Sequence, residues 1–247
     1  MAEWTIPAEI LAGAPESPWI HPPELFTVQG QIPDSPSHRI ARAVEPDSVL
    51  DVGCGGGRAA LALTPPAREL IGVDHQQRML ELFAAAAEAA GASHTEVLGD
   101  WPEASARTPD ADVVVCHHVA YNVAELAPFA LALTAHARHR VVLELPQQHP
   151  LSHLSAAWRH FWDIERPTGP TAGDALAVLR EAGLDAQIEL WQDESFASRA
   201  TIPLNDQARF MRIRLCLPLE READVLQFLV DQGPEAPREQ ATIWWAP

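Results

Sequence analysis

The residues best suited to chemistry lie in a short glycine-rich turn, residues 49–58, with the sequence VLDVGCGGGR. An apolar run ends at Asp51, and Gly53, Gly55 and Gly57 alternate with other residues before an alanine- and leucine-rich run typical of a helix. Glycine is needed where φ is positive or where a ligand approaches the backbone. The helix that follows presents N–H groups that have no partner within the helix. This pattern predicts a site for a nucleotide-like ligand.

Two kinds of ligand fit such a turn. Residues 55–60, GGGRAA, satisfy the G-x-G-x-x-A form of the fingerprint that binds the pyrophosphate of a dinucleotide such as NAD. The register Asp51-x-Gly53-x-Gly55-x-Gly57 instead resembles motif I of the class I S-adenosylmethionine (SAM)-dependent methyltransferases. A carboxylate beside the turn would repel a pyrophosphate but stabilise the ammonium and sulfonium groups of SAM. Asp51 therefore favours SAM over NAD.

Two further acids stand at the ends of the next two apolar runs. Asp74 ends the run ELIGVD, about 20 residues beyond the glycines, which is the spacing at which an acid reaches ribose hydroxyls in nucleotide-binding βαβ units. Asp100 ends the run HTEVLGD and is followed by Trp101. The family resemblance implies that an acid here contacts the adenine amino group and that its apolar neighbour packs on the ring. Either acid alone is better explained as a helix N-cap, but together, in order behind a glycine turn, the two acids favour ligand binding.

A pair of histidines, His117 and His118, leaves the fourth apolar run, and Tyr121 follows shortly after. In the family that this chain resembles, cofactor and substrate meet at this point. The resemblance implies that His117 lines the methionine end of SAM through backbone contacts and that His118, with Tyr121, faces the acceptor. Histidine is a common general base where a hydroxyl or a protonated amine must lose a proton. The alternative for each histidine is a packed, hydrogen-bonded side chain at the strand exit.

The candidate site combines the glycine turn, the acids and the residues beside them. The predicted cofactor-binding residues are Asp51, Gly53, Cys54, Gly55, Gly57, Asp74, His75, Asp100, Trp101 and His117, and the predicted catalytic residues are His118 and Tyr121. The side chain of Cys54 is interpreted as packing. No metal ligand is predicted, because His149, His153 and His160, with Glu144 nearby, match no known ligand spacing.

The elements that position these residues are short buried strands alternating with helices. Five Val- and Leu-rich runs separated by helical patterns indicate a parallel sheet with helices on both faces. A sixth strand at 186–191 and a last strand at 241–245 resemble the antiparallel closing pair of the methyltransferase family. The predicted fold is therefore α/β, a Rossmann-like class I methyltransferase fold with a mostly parallel seven-stranded sheet and an antiparallel last strand.

The chain is expected to consist of an arm and one domain. The proline-rich residues 1–36 are predicted to form an N-terminal arm that caps the site, and residues 37–247 the SAM-dependent methyltransferase domain. Ligands in α/β sheets bind at the carboxyl ends of the strands. The Trp- and His-rich residues 147–170, which follow the fifth strand, are therefore expected to form a wall or lid, and residues 205–231 a helical insertion.

Composition narrows the choice of partners. The chain of 247 residues carries a formal net charge of −17 and contains no lysine, which argues against a nucleic-acid partner because such binding relies on Lys and Arg that neutralise phosphates. Arg209, Arg212 and Arg214 are interpreted as a partly solvated helix face. Three cysteines without C-x-x-C spacing, no signal segment and no long apolar run predict a cytoplasmic protein that binds no membrane. The oligomeric state does not follow from these features.

These observations predict an enzyme, a SAM-dependent methyltransferase that acts on a small-molecule acceptor through oxygen or nitrogen rather than carbon. The sequence resembles uncharacterised actinobacterial methyltransferase-domain proteins more than any group with a defined substrate. Two alternatives stay open. One is a protein that binds SAM without turnover, and the other is an NAD-dependent oxidoreductase, which the G-x-G-x-x-A overlap suggests.

Overall fold

The computed structural model describes residues 4–19, 32–193, 203–233 and 237–247 of the chain. The chain divides into two compact units. The sheet unit comprises Pro22–Gln147, Pro170–Trp191 and Gln240–Pro247, and the helical unit comprises Met1–His21, Gln148–Gly169 and Gln192–Glu239. Most of the predicted arm, the lid-like segment and the helical insertion fall within the helical unit. Their roles toward a substrate stay predictions.

The sheet unit is built on a seven-stranded sheet. Its strands are β1 (Ser48–Val52), β2 (Glu69–Asp74), β3 (Ser93–Leu98), β4 (Ala111–His117), β5 (Ala137–Pro146), β6 (Gln187–Gln192) and β7 (Glu239–Trp245). Their spatial order is β3-β2-β1-β4-β5-β7-β6. Strands β1 to β5 pair in parallel, whereas β7 is antiparallel to β5, with Ile243 opposite Leu143. The predicted fold class is therefore confirmed.

Helices cover both faces of this sheet, because successive strand residues point to opposite sides. Within the described residues the α-helices are α1 (Ala8–Ala12), α2 (Pro36–Arg42), α3 (Arg58–Leu61), α4 (Gln77–Ala90), α5 (Leu126–His136), α6 (Ser155–Trp162), α7 (Ala172–Glu181), α8 (Leu204–Arg214) and α9 (Glu222–Gln232). One core cluster includes Leu50, Val114, Phe129 and Leu179, and the other includes Val49, Val113, Leu80 and Phe83. The neighbours Trp244 and Trp245 pack against different clusters, as the alternation predicts.

The ends of two helices follow from local sequence signals. Helix α4 ends at Gly91, which adopts the left-handed conformation (φ 74°) that helix C-termini favour. Helix α7 begins with a capping box, in which the Thr171 hydroxyl accepts from the backbone N–H of Asp174 and the Asp174 carboxylate accepts from the backbone N–H of Thr171. Such local signals fix where the connections on both faces of the sheet begin and end.

The helical unit has its own core, formed by helices α1, α6, α8 and α9 and by the 3₁₀ turn Pro150–Leu154. Arg212 of α8 is buried, with an exposed fraction of 2%. Its guanidinium binds Glu16 at 2.5 Å and Glu222 at 2.9 Å. The interpretation of this arginine as part of a solvated helix face is therefore wrong, because its charge is neutralised inside the unit. None of the described helices is long and apolar enough to cross a lipid bilayer.

Candidate cofactor site

The glycine turn connects β1 to the short helix α3. The backbone N–H groups of Gly53 and Cys54 both donate to the carbonyl oxygen of Val73, at 2.8 and 3.0 Å, which fixes the turn against the end of β2. Gly53 has φ 74°, and a Cβ atom added there would lie 2.4 Å from Cγ2 of Val119. Only glycine fits this position, because any side chain would meet the residue that follows the strand exit of β4.

Asp51 lies within β1 and is almost fully buried, with an exposed fraction of 1%. Its Oδ2 atom accepts a hydrogen bond from the backbone N–H of Ala60 in α3, at 3.1 Å. Burial raises the pKa of Asp51 to about 7, and the nearby Asp74 carboxylate adds to this effect, while the Ala60 hydrogen bond opposes it. The carboxyl group thus braces the start of α3 and would gain from a cation bound nearby.

Asp74 is the last residue of β2, and its side chain contacts the same turn. Its Oδ2 accepts from the N–H of Gly55 at 3.1 Å, and its Oδ1 accepts from the N–H of Gln76 at 2.9 Å. Each carboxylate oxygen has a second lone pair available for a ligand hydroxyl. The His75 side chain is exposed, and its Nδ1 lies 3.6 Å from Oδ1 of Asp74. The structure therefore brings Asp74 and the glycine turn into direct contact.

The third predicted acid lies beyond the end of its strand. Strand β3 ends at Leu98, so Asp100 belongs to the following loop, where it is exposed and where its carbonyl oxygen accepts from the N–H of Ala104. The indole N–H of Trp101 donates to the carbonyl oxygen of Phe129 at 3.3 Å. The Trp101 ring is half-buried against the core of the sheet unit. The geometry holds the Trp101 ring in place at this loop, and its contact with adenine stays a prediction.

The exit of β4 joins two histidines to an acid on β5. The His118 backbone N–H donates to the carbonyl oxygen of Glu144 at 2.7 Å, and Nε2 of His118 lies 3.2 Å from Oε1 of the same residue. His117 is buried, and its Nδ1 lies 4.0 Å from Oε2 of Glu144. Its ring stacks on that of His38 in α2, with 5.7 Å between the centroids. These side chains form one polar cluster in the sheet unit.

The charge in this cluster resides on Glu144. Burial opposes its ionisation, but His117, which carries charge only below about pH 4, and the hydrogen bond from His118 hold the pKa of the Glu144 carboxyl well below its usual range. Ser35 supports the carboxylate by donating to Oε2 at 3.2 Å. Burial lowers the pKa of His117 to about 4, against the attraction of Glu144, so that this histidine is neutral at pH 7.

Glu144 is not among the site residues predicted from the sequence. A signal was present: in the run VVLELP, Glu144 is the one charged residue of a strand segment that is otherwise apolar. A charged residue within such a segment requires a partner, because burying an isolated charge is costly. Tyr121, which is among those predicted residues, lies in the 3₁₀ turn Ala120–Asn122, and burial raises the pKa of its phenol to about 12. Its hydroxyl is therefore protonated at pH 7.

Strand order explains how these residues meet. The central strands β2, β1, β4 and β5 are parallel neighbours, so their carboxyl ends lie along one edge of the sheet. This edge carries Asp74, the glycine turn, the histidine pair and Glu144, in that order. Asp100 follows β3 at the outer end of the same edge. Among the described residues, no three His, Cys, Asp or Glu side chains are arranged to hold a metal ion.

Comparisons with known proteins agree with this geometry. Residues 49–140 match the model of the family described as Methyltransferase domain. An uncharacterised methyltransferase from Bacillus subtilis, YcgJ, is 30% identical over 79 residues, an alignment that covers 32% of this chain and 31% of the relative. The matched segment thus spans about a third of that relative's length. The crystal structure of YcgJ has a TM-score of 0.52 and 18% identity, and the match covers 84% of this chain and 96% of YcgJ.

Two further solved structures share the fold. Magnesium protoporphyrin IX methyltransferase from Synechocystis, solved with bound S-adenosylhomocysteine (SAH), has a TM-score of 0.54 and 13% identity, covering 91% of this chain and 92% of that one. A SAM-dependent methyltransferase from Geobacter sulfurreducens, in complex with SAH, has a TM-score of 0.54 and 16% identity, covering 89% and 94%. Residues 49–140 are therefore similar to a methyltransferase domain, and the chain shares the fold of these SAH-bound methyltransferases.

Proposed function

We propose that this protein transfers the methyl group of SAM to an oxygen or nitrogen atom of a small-molecule acceptor. The observation that carries the proposal is the glycine turn flanked by two buried carboxylates, Asp51 and Asp74, at the carboxyl ends of neighbouring strands. Carboxylates attract a cationic nucleoside and repel the negative charge of a pyrophosphate. The fold shared with two SAH-bound methyltransferases supports the same cofactor.

Different residues are assigned to different parts of the SAM molecule. Gly53 lets the turn pack closely against Val119, and Asp74 offers lone pairs to the hydroxyls of a ribose. A cation bound beside the turn would favour the ionised form of Asp51, whose pKa burial raises to about 7, and we assign Asp100 and Trp101 to the adenine end of the site. When bound, SAM supplies a methyl group already activated on its sulfonium, so that the protein's task is to position the acceptor and exclude water.

The acceptor side is assigned to His118 and Tyr121. His118 is the more exposed of the histidine pair, with 46% of its side chain accessible, so it can meet a substrate. The phenol of Tyr121 is protonated at pH 7 and can form a hydrogen bond with a polar substrate. His117 stays with the cofactor end as a neutral, buried residue.

A small molecule is favoured as the acceptor on two grounds. The net charge of −17 would repel a nucleic acid over most of the surface. A structural neighbour that shares the fold, the Synechocystis enzyme, acts by its name on magnesium protoporphyrin IX, which is a small molecule. Its identity to this chain is only 13%, so the comparison supports the size class of the acceptor and not its chemistry.

A calorimetric titration of the full-length protein with SAM, SAH and NADH tests the cofactor. We expect micromolar binding of SAM and SAH and no binding of NADH. Binding of NADH alone would overturn the proposal in favour of the oxidoreductase alternative. Release of SAH from SAM in the presence of alcohols, phenols and amines then separates an enzyme from a protein that binds SAM without turnover.

A further inference from the structure

The backbone of His118 holds an unusual conformation for a residue with a side chain. Its φ is 59°, in the left-handed region that L-residues rarely adopt. The hydrogen bond from its N–H to the carbonyl oxygen of Glu144 holds this conformation in place. Strained residues of this kind cluster at functional sites, where the surrounding structure fixes them. The strain therefore points to a required placement of the His118 side chain.

The same residue, Glu144, also holds the ring. Nε2 of His118 lies 3.2 Å from Oε1 of Glu144, so that Glu144 binds His118 through both its backbone and its side chain. The carboxylate is buried and ionised, whereas the imidazole is half-exposed. A neutral imidazole that donates from Nε2 to a carboxylate carries its lone pair on Nδ1. The contact thus selects which ring nitrogen can take a proton.

The neighbouring side chains of His117, His38 and Ser35 are not positively charged at pH 7, so they do not neutralise the negative charge of Glu144. His117 is neutral at pH 7, and burial also lowers the pKa of His38, which stacks behind it. Both rings retain a buried nitrogen, Nε2 of His117 and Nδ1 of His38, without a hydrogen-bond partner among the described residues. Ser35 contributes a neutral hydroxyl. A proton that arrives on His118 would therefore complete an ion pair with Glu144.

We propose that His118 is the general base for acceptors that must lose a proton, and that Glu144 is its positioning residue. This inference rests on the proposed methyl transfer and narrows the acceptor to a hydroxyl or a protonated amine. The acceptor atom bonds to the methyl carbon while the carbon–sulfur bond breaks with its electron pair left on sulfur. The acceptor's proton passes to Nδ1 of His118, and the imidazolium formed is paired with ionised Glu144. The exposed ring then returns the proton to solvent.

The tautomer of His118 tests the dyad without any knowledge of the acceptor. In a ¹H–¹⁵N spectrum of full-length protein labelled in its histidine rings, recorded at pH 8, we expect His118 to carry its proton on Nε2. The variant His118→Gln identifies its signals. The variant Glu144→Gln should shift the ring toward a mixture of tautomers, and Glu144→Asp should retain part of the preference. A wild-type ring protonated on Nδ1 would overturn the dyad.

Turnover of a panel of alcohols, phenols, amines and thioethers, followed by SAH release, tests the acceptor class. We expect Glu144→Gln to lower kcat by about 100-fold or more, the scale of general-base catalysis, and to change the Kd of SAM by less than twofold. Glu189→Gln, which removes an exposed carboxylate of β6, is the matched control and should leave kcat unchanged. Methylation of thioethers alone, which have no proton to lose, would contradict the inference while leaving the SAM-dependent function intact. Failure of SAM to bind would refute the proposed function instead.

Discussion

Two aspartates beside the glycine turn differ in what surrounds them. Asp51 is almost fully buried within β1 and accepts one backbone N–H, whereas Asp74 accepts two and is the last residue of β2. A carboxylate gains most from a ligand where its lone pairs face the site. The two residues therefore lead to different expectations, one for ligand affinity and one for stability.

The first expectation concerns the variant Asp74→Asn. It keeps the size of the side chain but removes the charge that strengthens hydrogen bonds to a ribose, so we expect SAM binding to weaken by about 1–3 kcal/mol. Asp110→Asn, in the exposed loop before β4, is the control and should bind SAM like the wild type. Isothermal titration calorimetry measures both. An unchanged Kd for the Asp74 variant would remove this residue from the ribose site.

The second expectation concerns the pH dependence of stability. Because the folded pKa of Asp51 is about 7 and the ordinary value is about 3.9, the folded state binds more protons than the unfolded state between these values. The contribution of Asp51 to wild-type stability should therefore fall as pH rises from about 4 to about 7. The variant Asp51→Asn has no carboxyl group to titrate at this position. The difference in unfolding free energy between variant and wild type should therefore shift in favour of the variant by about 2–4 kcal/mol from pH 4 to pH 8, measured by urea unfolding.

Asp112 provides a control of opposite sign. Although burial acts against it, hydrogen bonds from the backbone of Asp47 and Ser48 and from Arg138 hold the pKa of Asp112 below its usual range. Such a group contributes stability above its unfolded pKa and loses this contribution as pH falls. Asp112→Asn should thus be less stable than wild type at pH 8 and approach it in acid. The same trend in both variants would show that Asp51 is not the group responsible.

The turn between β1 and α3 packs against the loop that follows β4. Gly53 meets Val119 from the loop after β4, so the glycine turn and the histidine pair share one packed contact. In this way a small residue in one loop controls how closely two neighbouring strand exits approach. Changes at either residue should therefore affect both halves of the candidate site.

The variant Gly53→Ala should cost about 2–4 kcal/mol of unfolding free energy, because a methyl group at φ 74° would overlap Val119. Gly91→Ala is the matched control: it has the same φ and open space, so we expect a loss of about 1 kcal/mol. The double variant Gly53→Ala/Val119→Ala should be more stable than the sum of the two single effects predicts. Additive losses in denaturant unfolding would refute the contact.

At the scale of the whole molecule, the helical unit gathers three separate stretches of the chain around one core. Arg212 of α8 joins them, since it binds Glu16 from the N-terminal stretch, Glu222 of α9 and the carbonyl oxygen of Leu217. A second arginine, Arg166, lies 5.3 and 5.2 Å from the ring centres of Trp4 and Trp158. Arginine contacts thus connect segments that are distant in the sequence.

Removal of the Arg212 side chain should destabilise this unit. We expect Arg212→Ala to cost about 3 kcal/mol, because it deletes a buried charge together with both of its partners' contacts. Arg209→Ala, on the same helix but exposed, should cost less than about 0.5 kcal/mol. Limited proteolysis locates the effect, and faster cleavage within residues 203–233 is expected only for the first variant. Equal cleavage of the two variants would contradict a structural role for Arg212.

The strands, the order of the acids and the glycine turn are all predictable from local sequence patterns. Those features rest on short-range rules: apolar runs mark buried strands, alternation separates Trp244 from Trp245, and glycine marks positive φ. The family resemblance supplied the antiparallel last strand, which the sheet order confirms. The assignment of individual residues to cofactor and acceptor stays a prediction.

Contacts between residues that are distant in the chain depend on how the whole chain folds. Glu144 lies on the strand next to the one that ends at the histidine pair, and the parallel register of β4 and β5 places it against His118. The burial of Arg212 required Glu16, which lies 196 residues away in the chain. Local sequence patterns carry no information on such pairings. A charged residue is predicted to be exposed to solvent unless the partner that neutralises its charge is known, and here the partner lies far away in the chain.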